Sequence, residues 1–149
     1  FKYLKENNIT PNHTVKFIIS TYEEVGHGAA ALPNDITRLI AVDMGCIGKD
    51  LSCTEYDVSI CAKDSSGPYD YDMTTELIEL SGKHQLNHAV DIYPFYGSDA
   101  SAALRAGCDI KAALIGPGVH ASHGMERTHT QGCLNTMKLL TAYLTEIKF

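Results

Sequence analysis

The chain has 149 residues, 44 % hydrophobic and 20 % charged, enough to close one sizeable core. Its 12 basic and 18 acidic residues leave a net charge of −6, which offers phosphates no basic stripe and sets nucleic acid aside as a partner. Apolar runs such as 112–115 are far too short to span a bilayer, and no apolar segment near the N-terminus reads as a secretory signal. Five cysteines, an odd number without a Cys-x-x-Cys pair, argue against both a disulfide framework and a cysteine zinc site. A reducing, cytoplasmic setting is the expectation.

The chain opens with FKYLKENN, which reads as the last turns of a helix already under way, and this predicts the C-terminal part of something longer. Short β-branched runs then predict strands over 14–21 (TVKFIIST), 39–44 (LIAVDM), 58–63 (VSICAK), 89–94 and 112–116. Several are apolar at consecutive positions, as in strands covered on both faces. Helices are predicted over 74–83, with Leu77, Ile78 and Leu80 on one side, over 100–106, ending at Gly107, and over 131–147. The last carries Leu134, Met137, Leu140, Leu144 and Ile147 at spacings of three and four. The stretch 64–72 (DSSGPYDYD) reads as an acidic, turn-forming connection. Alternating strands and helices predict an α/β domain, with layered helices around a mixed, largely parallel sheet.

In such sheets function collects beyond the carboxyl ends of strands. The 14–21 run leads into Glu23-Glu24-Val25-Gly26-His27-Gly28. Adjacent carboxylates repel, and a metal ion would relieve this, one acid ligating and the other free to take a proton. The competing reading is that both glutamates begin a helix. Asp43, inside Ala-Val-Asp-Met-Gly, needs a counter-charge or donors; a metal supplies one, and capping of the next turn is the alternative. The 112–116 strand leads into a loop with His120, His123 and His129. Each taken singly reads as a surface histidine, but their coincidence with Glu23, Glu24 and Asp43 points to a mixed histidine and carboxylate site for zinc, cobalt or manganese. In Tyr96-Gly97-Ser98-Asp99-Ala100, Ser98 or Asp99 caps the following helix, which is compatible with lining a pocket.

The ordered strings EEVGHGA, AVDMG, GSDA and GPGVHASHGMERTH resemble the C-terminal half of the cytosolic dinuclear metallo-aminopeptidases, in the glutamyl/deblocking (tetrahedral) branch. The resemblance covers nearly the whole chain. It implies an incomplete zinc-peptidase-like catalytic domain, spanning 1–149, without the N-terminal half and the inserted dimerisation domain. Position by position, Glu23 resembles the general base that deprotonates a metal-bridging water and then protonates the leaving amine. Glu24 and His123 resemble ligands of one ion, and Asp43 a ligand of the other. Choosing His123 over His120 and His129 rests on its place in the loop relative to Gly118. Ser98 and Asp99 resemble pocket residues. The family's first histidine ligand and bridging aspartate lie upstream, so of its two divalent ions neither would be fully held, and this chain alone is expected to bind metal weakly and not to catalyse. Peptide substrates and a homo-oligomer are implied for the full enzyme. A related dinuclear deacylase of N-acyl amino acids and a non-catalytic α/β module are the alternatives.

Overall fold

The structure is a computed structural model that describes residues 1–149. A mixed sheet forms the middle layer, built from β1 (Arg38–Val42), β2 (Gly45–Cys46), β3 (Val58–Asp64), β4 (Gly67–Pro68), β5 (His88–Ile92) and β6 (Lys111–Val119). Four helices accompany it: α1 (Lys2–Glu6), α2 (Tyr71–Lys83), α3 (Asp99–Arg105) and α4 (Thr130–Glu146). The pairs β1–β6, β2–β6 and β3–β5 are parallel, while β3 runs antiparallel to β6 and to β4. The predicted α/β class with a mixed, largely parallel sheet is the one observed.

The consecutive apolar residues of β3 and β6 are explained by burial on both faces. Val58, Ile60, Ala113 and Ile115 pack under α2 and α4 with Met73, Leu77, Leu139 and Tyr143. Cys61, Ala112 and Leu114 face the other way, against Ala100 of α3 and the rings of Tyr69 and Tyr93. A side-chain period of two sends neighbours to opposite layers, so both positions must be apolar. Arg38, at the start of β1, binds Glu76 of α2 and Tyr143 of α4 at 2.6 and 2.7 Å, tying the sheet to both helices of one layer.

Two expectations change. Residues 14–21 do not form a strand: none of residues 13–21 makes a backbone hydrogen bond, and Phe17 and Ile19 are 70 % and 78 % exposed. An apolar, β-branched run supplies the propensity for a strand, but a strand exists only when a neighbour's N–H and C=O groups face it, and here none do. The acidic connection 64–72 is more ordered than predicted. Asp64 closes β3 with its side chain buried, β4 folds back on it, and Asp70 caps α2 by accepting from the Met73 amide, so the helix starts three residues earlier than expected. No helix is long and apolar enough to cross a membrane.

Candidate metal centre

Glu23 and Glu24 open a single 3₁₀ turn, Glu23–Val25, closed by Gly26 at φ 75°, a left-handed conformation that glycine adopts without strain. The reading that both glutamates begin a helix is thus met only by three residues. The turn directs the Glu24 carboxylate outward, and Glu24 Oε2 lies 3.2 Å from His123 Nε2. Both side chains are about three-quarters exposed. The His123 backbone sits at φ 62°, and its amide donates to Glu126 Oε1 at 2.9 Å, which braces the loop after β6.

The other two histidines of that loop are engaged elsewhere. His120 bridges in backbone to Arg127 and points its Nε2 at Glu55 Oε2, 3.5 Å away. His129 is the N-cap of α4: its Nδ1 accepts from the Gln131 amide at 3.1 Å, and its ring lies against Tyr56. Of the three, His123 is the one that meets Glu24.

Asp43 follows β1, where the chain leaves β6 for two residues before β2 rejoins it in the same register. Its amide still donates to Ile115 O, and its Oδ1 accepts from the Met44 amide at 2.7 Å. The β6 backbone approaches so closely here that a Cβ on Gly116 would lie 1.9 Å from Asp43 O. Glycine is required at that position for space. On the neighbouring segment, a Cβ on Gly28 would lie 2.1 Å from Asp99 Oδ1 and 2.4 Å from Ser20 Oγ, so the loop after the glutamates is laid directly on Asp99.

Glu23 is the electrostatic centre of this group. Partial burial raises its pKa, the charges of Asp43, Glu24 and Asp99 raise it further, and His123 opposes them. A carboxyl group shifted toward neutrality holds and returns a proton more readily than an ordinary one. Ser98 is turned inward: it caps α3 in a reciprocal box with Ser101, and its Oγ lies 2.8 Å from the Tyr69 hydroxyl. Asp99 Oδ1 is buried without a hydrogen-bond partner, as is the hydroxyl of Tyr96. Tyr96 was not singled out from the sequence. Burial and the nearby charge of Asp43 drive its pKa upward, and its place in the Tyr-Gly-Ser-Asp string was the available signal.

The donors present are of the type that suits a divalent ion of borderline hardness: one imidazole nitrogen and one carboxylate oxygen lie 3.2 Å apart, with the Glu23 carboxylate next in the chain. No three His, Cys, Asp or Glu side chains converge closely enough to hold an ion unaided. The chain thus offers part of a coordination sphere.

Comparison with known proteins gives this arrangement a setting. The chain is 46 % identical over 142 residues to YhfE of Bacillus subtilis (strain 168), an aminopeptidase by name, across 95 % of this chain and 41 % of that protein. In structure it is similar to a TET aminopeptidase from the marine sediment archaeon Thaumarchaeota archaeon SCGC AB-539-E09, with TM-score 0.79 and 14 % identity, over 99 % of this chain and 44 % of that one. It is also similar to the Pyrococcus horikoshii TET1 peptidase, with TM-score 0.65 and 20 % identity, over 74 % of this chain and 34 % of that one. The chain therefore spans less than half the length of these relatives. A family model described as M42 glutamyl aminopeptidase matches residues 1–139, and the chain belongs to that family.

Proposed function

We propose that this chain carries the general-base side of a metal-dependent aminopeptidase site, which releases N-terminal residues from peptides. The observation that supports this most is the position of Glu23, raised in pKa beside the Glu24–His123 pair and within range of Asp43. Glu24 and His123 would hold one divalent ion and Asp43 another, with zinc first and cobalt or manganese as substitutes. When bound, the ions supply Lewis acidity that polarises the scissile carbonyl and acidifies the attacking water. Glu23 takes the proton from that water at its carboxylate and delivers it to the leaving amine. Asp99 lies on the wall beside Gly28, while Ser98 holds that wall through its cap on α3. An inert module would have no reason to bring Glu23, Glu24, Asp43, Asp99 and His123 to one place, since gathered acids cost stability.

With only part of each coordination sphere present, the chain alone should bind metal weakly and turn over no substrate. The relatives imply copies assembled together, as the P. horikoshii peptidase assembles into a tetrahedron or an octahedral shell. The five free cysteines support a cytoplasmic location.

The test is metal content by elemental analysis, followed by hydrolysis of unblocked aminoacyl p-nitroanilides with added zinc or cobalt. The chain is assayed alone and after refolding together with the portion of YhfE that it does not span. Turnover only in the mixture, abolished by Glu23→Gln, is expected. Near two ions per chain with turnover alone would overturn the half-site reading. Hydrolysis of N-acyl amino acids instead of unblocked substrates would establish the deacylase.

A further inference from the structure

The hydroxyl of Tyr96 is buried without a hydrogen-bond partner, and a buried donor left unpaired is costly enough that native proteins keep few of them. Two groups lie close to it. One is the Asp43 carboxylate, whose charge acts on the hydroxyl, and the other is the Met44 amide. That amide already donates to Asp43 Oδ1 at 2.7 Å, so hydroxyl, amide and carboxylate stand together just past β1. A phenol has one proton to donate, and an ionised carboxylate has about four lone-pair sites, of which the Met44 amide takes one. Donor and acceptor are thus adjacent, and a small turn of the Asp43 side chain closes the bond.

The tyrosine itself is firmly held. Its carbonyl accepts from the Ser65 amide at 2.9 Å, and two residues later Ser98 caps α3. Its ring lies against that of Tyr93, with centroids 5.5 Å apart and planes at 60°, and the Tyr93 hydroxyl is 2.5 Å from Ser59 Oγ on β3. The ring also packs on the layer that holds Tyr69, Ala100 and Leu114. Asp43 is held more loosely. It is half-buried, and the hydrogen bond on its carboxylate comes from the amide of the very next residue. One bond to one oxygen leaves the carboxylate plane free to swing about that oxygen.

We propose that Tyr96 is a positioning residue of the metal centre: its hydroxyl donates to the Asp43 carboxylate and sets the rotation at which that carboxylate meets a divalent ion. The proposal rests on the reading of Asp43 as a metal ligand. A carboxylate already hydrogen-bonded from behind loses less freedom when an ion binds, which is how outer partners strengthen a coordination site. Because the hydroxyl is enclosed, Tyr96 acts through Asp43 and does not touch substrate. Phenylalanine at this position would fill the same space and leave Asp43 to the Met44 amide alone.

Carbon-13 NMR of the chain tests this, with zinc alone as the probe. In the metal-free chain, Tyr96→Phe should move the Asp43 carboxylate resonance. That of Asp91, which accepts from the Ser52 and Cys53 amides, should stay in place. In a zinc titration, the midpoint read at the Asp43 carboxylate should rise about 10-fold in the variant, while the midpoint read at the His123 ring stays within a factor of about 2. A merely structural hydroxyl would move both midpoints together or neither. An unmoved Asp43 resonance, an unchanged Asp43 midpoint, or equal changes at Asp43 and His123 would each overturn the proposal. Zinc that shifts His123 but never the wild-type Asp43 carboxylate would sink the ligand reading itself, and the proposal with it. Should the variant fail to fold, the wild type decides. A slowly exchanging Tyr96 hydroxyl proton with a cross-peak to the Asp43 Cβ protons supports the bond, and its absence overturns it.

Discussion

Glu24 Oε2 and His123 Nε2 meet at 3.2 Å although one follows an unpaired N-terminal run and the other stands on the loop after β6. Both side chains are about three-quarters exposed, so the contact contributes little to stability. On the proposed function, an exposed pair held by a left-handed His123 backbone and a bracing Glu126 serves as a ligand pair kept in register rather than as a staple.

Metal titration should separate the three loop histidines. Isothermal titration with zinc is expected to give weak binding to the wild-type chain. Glu24→Gln or His123→Ala should weaken it further, by more than about 10-fold. His120→Ala and His129→Ala should leave zinc affinity within a factor of about 2. For His129→Ala a lower melting temperature is expected, because α4 loses its cap. Equal losses from all three histidines would show that the loop binds metal without the selected geometry.

Behind the site, Tyr69 connects Asp64 to Ser98, with its hydroxyl 2.7 Å from Asp64 Oδ2 and 2.8 Å from Ser98 Oγ. Burial raises the tyrosine pKa, so it stays a donor at every ordinary pH. Tyr69→Phe would leave a buried carboxylate with the Ser66 amide as its remaining partner, at a cost of about 2–3 kcal/mol. Thermal unfolding should show a drop of several degrees. A change of less than a degree would mean that water takes the place of the hydroxyl.

The fold was legible where chemistry is local. β-Branched runs marked β1, β3, β5 and β6, of which β3 and β6 are buried on both faces while β5 alternates buried and exposed residues. The 3.6-residue spacing marked α4, although the face it buries holds Asn135, Thr136, Leu139, Ala142 and Tyr143, and Leu134 and Met137 of the expected stripe are exposed. Residues 14–21 misled because apolar alternation reports a capacity for pairing, whereas the pairing itself depends on what stands alongside. β2 and β4, at two residues each, are too short for any pattern. In the candidate site, Glu23 and Glu24 were visible as types after the apolar run 14–21, and Asp43 and His123 as types beyond β1 and β6. The engagements of His120 with Glu55 and of His129 with the α4 amides were not, since they depend on where distant loops land. Tyr96 stood only as the first residue of the Tyr-Gly-Ser-Asp string, and the burial of its hydroxyl near the charge of Asp43 emerges only in three dimensions.

Gly116 tests how tightly Asp43 is placed. A methyl group there would meet the Asp43 carbonyl oxygen at 1.9 Å, a backbone atom that cannot rotate away. Gly116→Ala should therefore push the Asp43 segment off β6 and cost about 3 kcal/mol, with weaker zinc binding as well. Gly82→Ala, at a helical glycine with nothing near its Cβ, should be neutral or stabilising by up to about 1 kcal/mol. Chemical denaturation of the two variants makes the comparison, and similar midpoints would contradict the close approach.

The C-terminal ends of α2 and α4 are joined by Glu146, whose carboxylate binds Lys83 Nζ and His84 Nε2, each at 2.6 Å. The Lys83 hydrogen bond, more than the His84 contact, holds the Glu146 pKa below the usual glutamate value. A carboxyl group with a lower pKa in the folded state binds fewer protons folded than unfolded. Its contribution is therefore present in full above the ordinary pKa of about 4.5 and is lost as pH falls through the folded value. Glu146→Gln should destabilise the chain at pH 7 by about 0.5–1 kcal/mol, discounted for the solvent around both partners. Near pH 3 the wild type and the variant should melt closer together. Urea midpoints at pH 7, 5, 4 and 3 test this, and a difference that stays constant into acid would assign the effect to packing rather than to the charge.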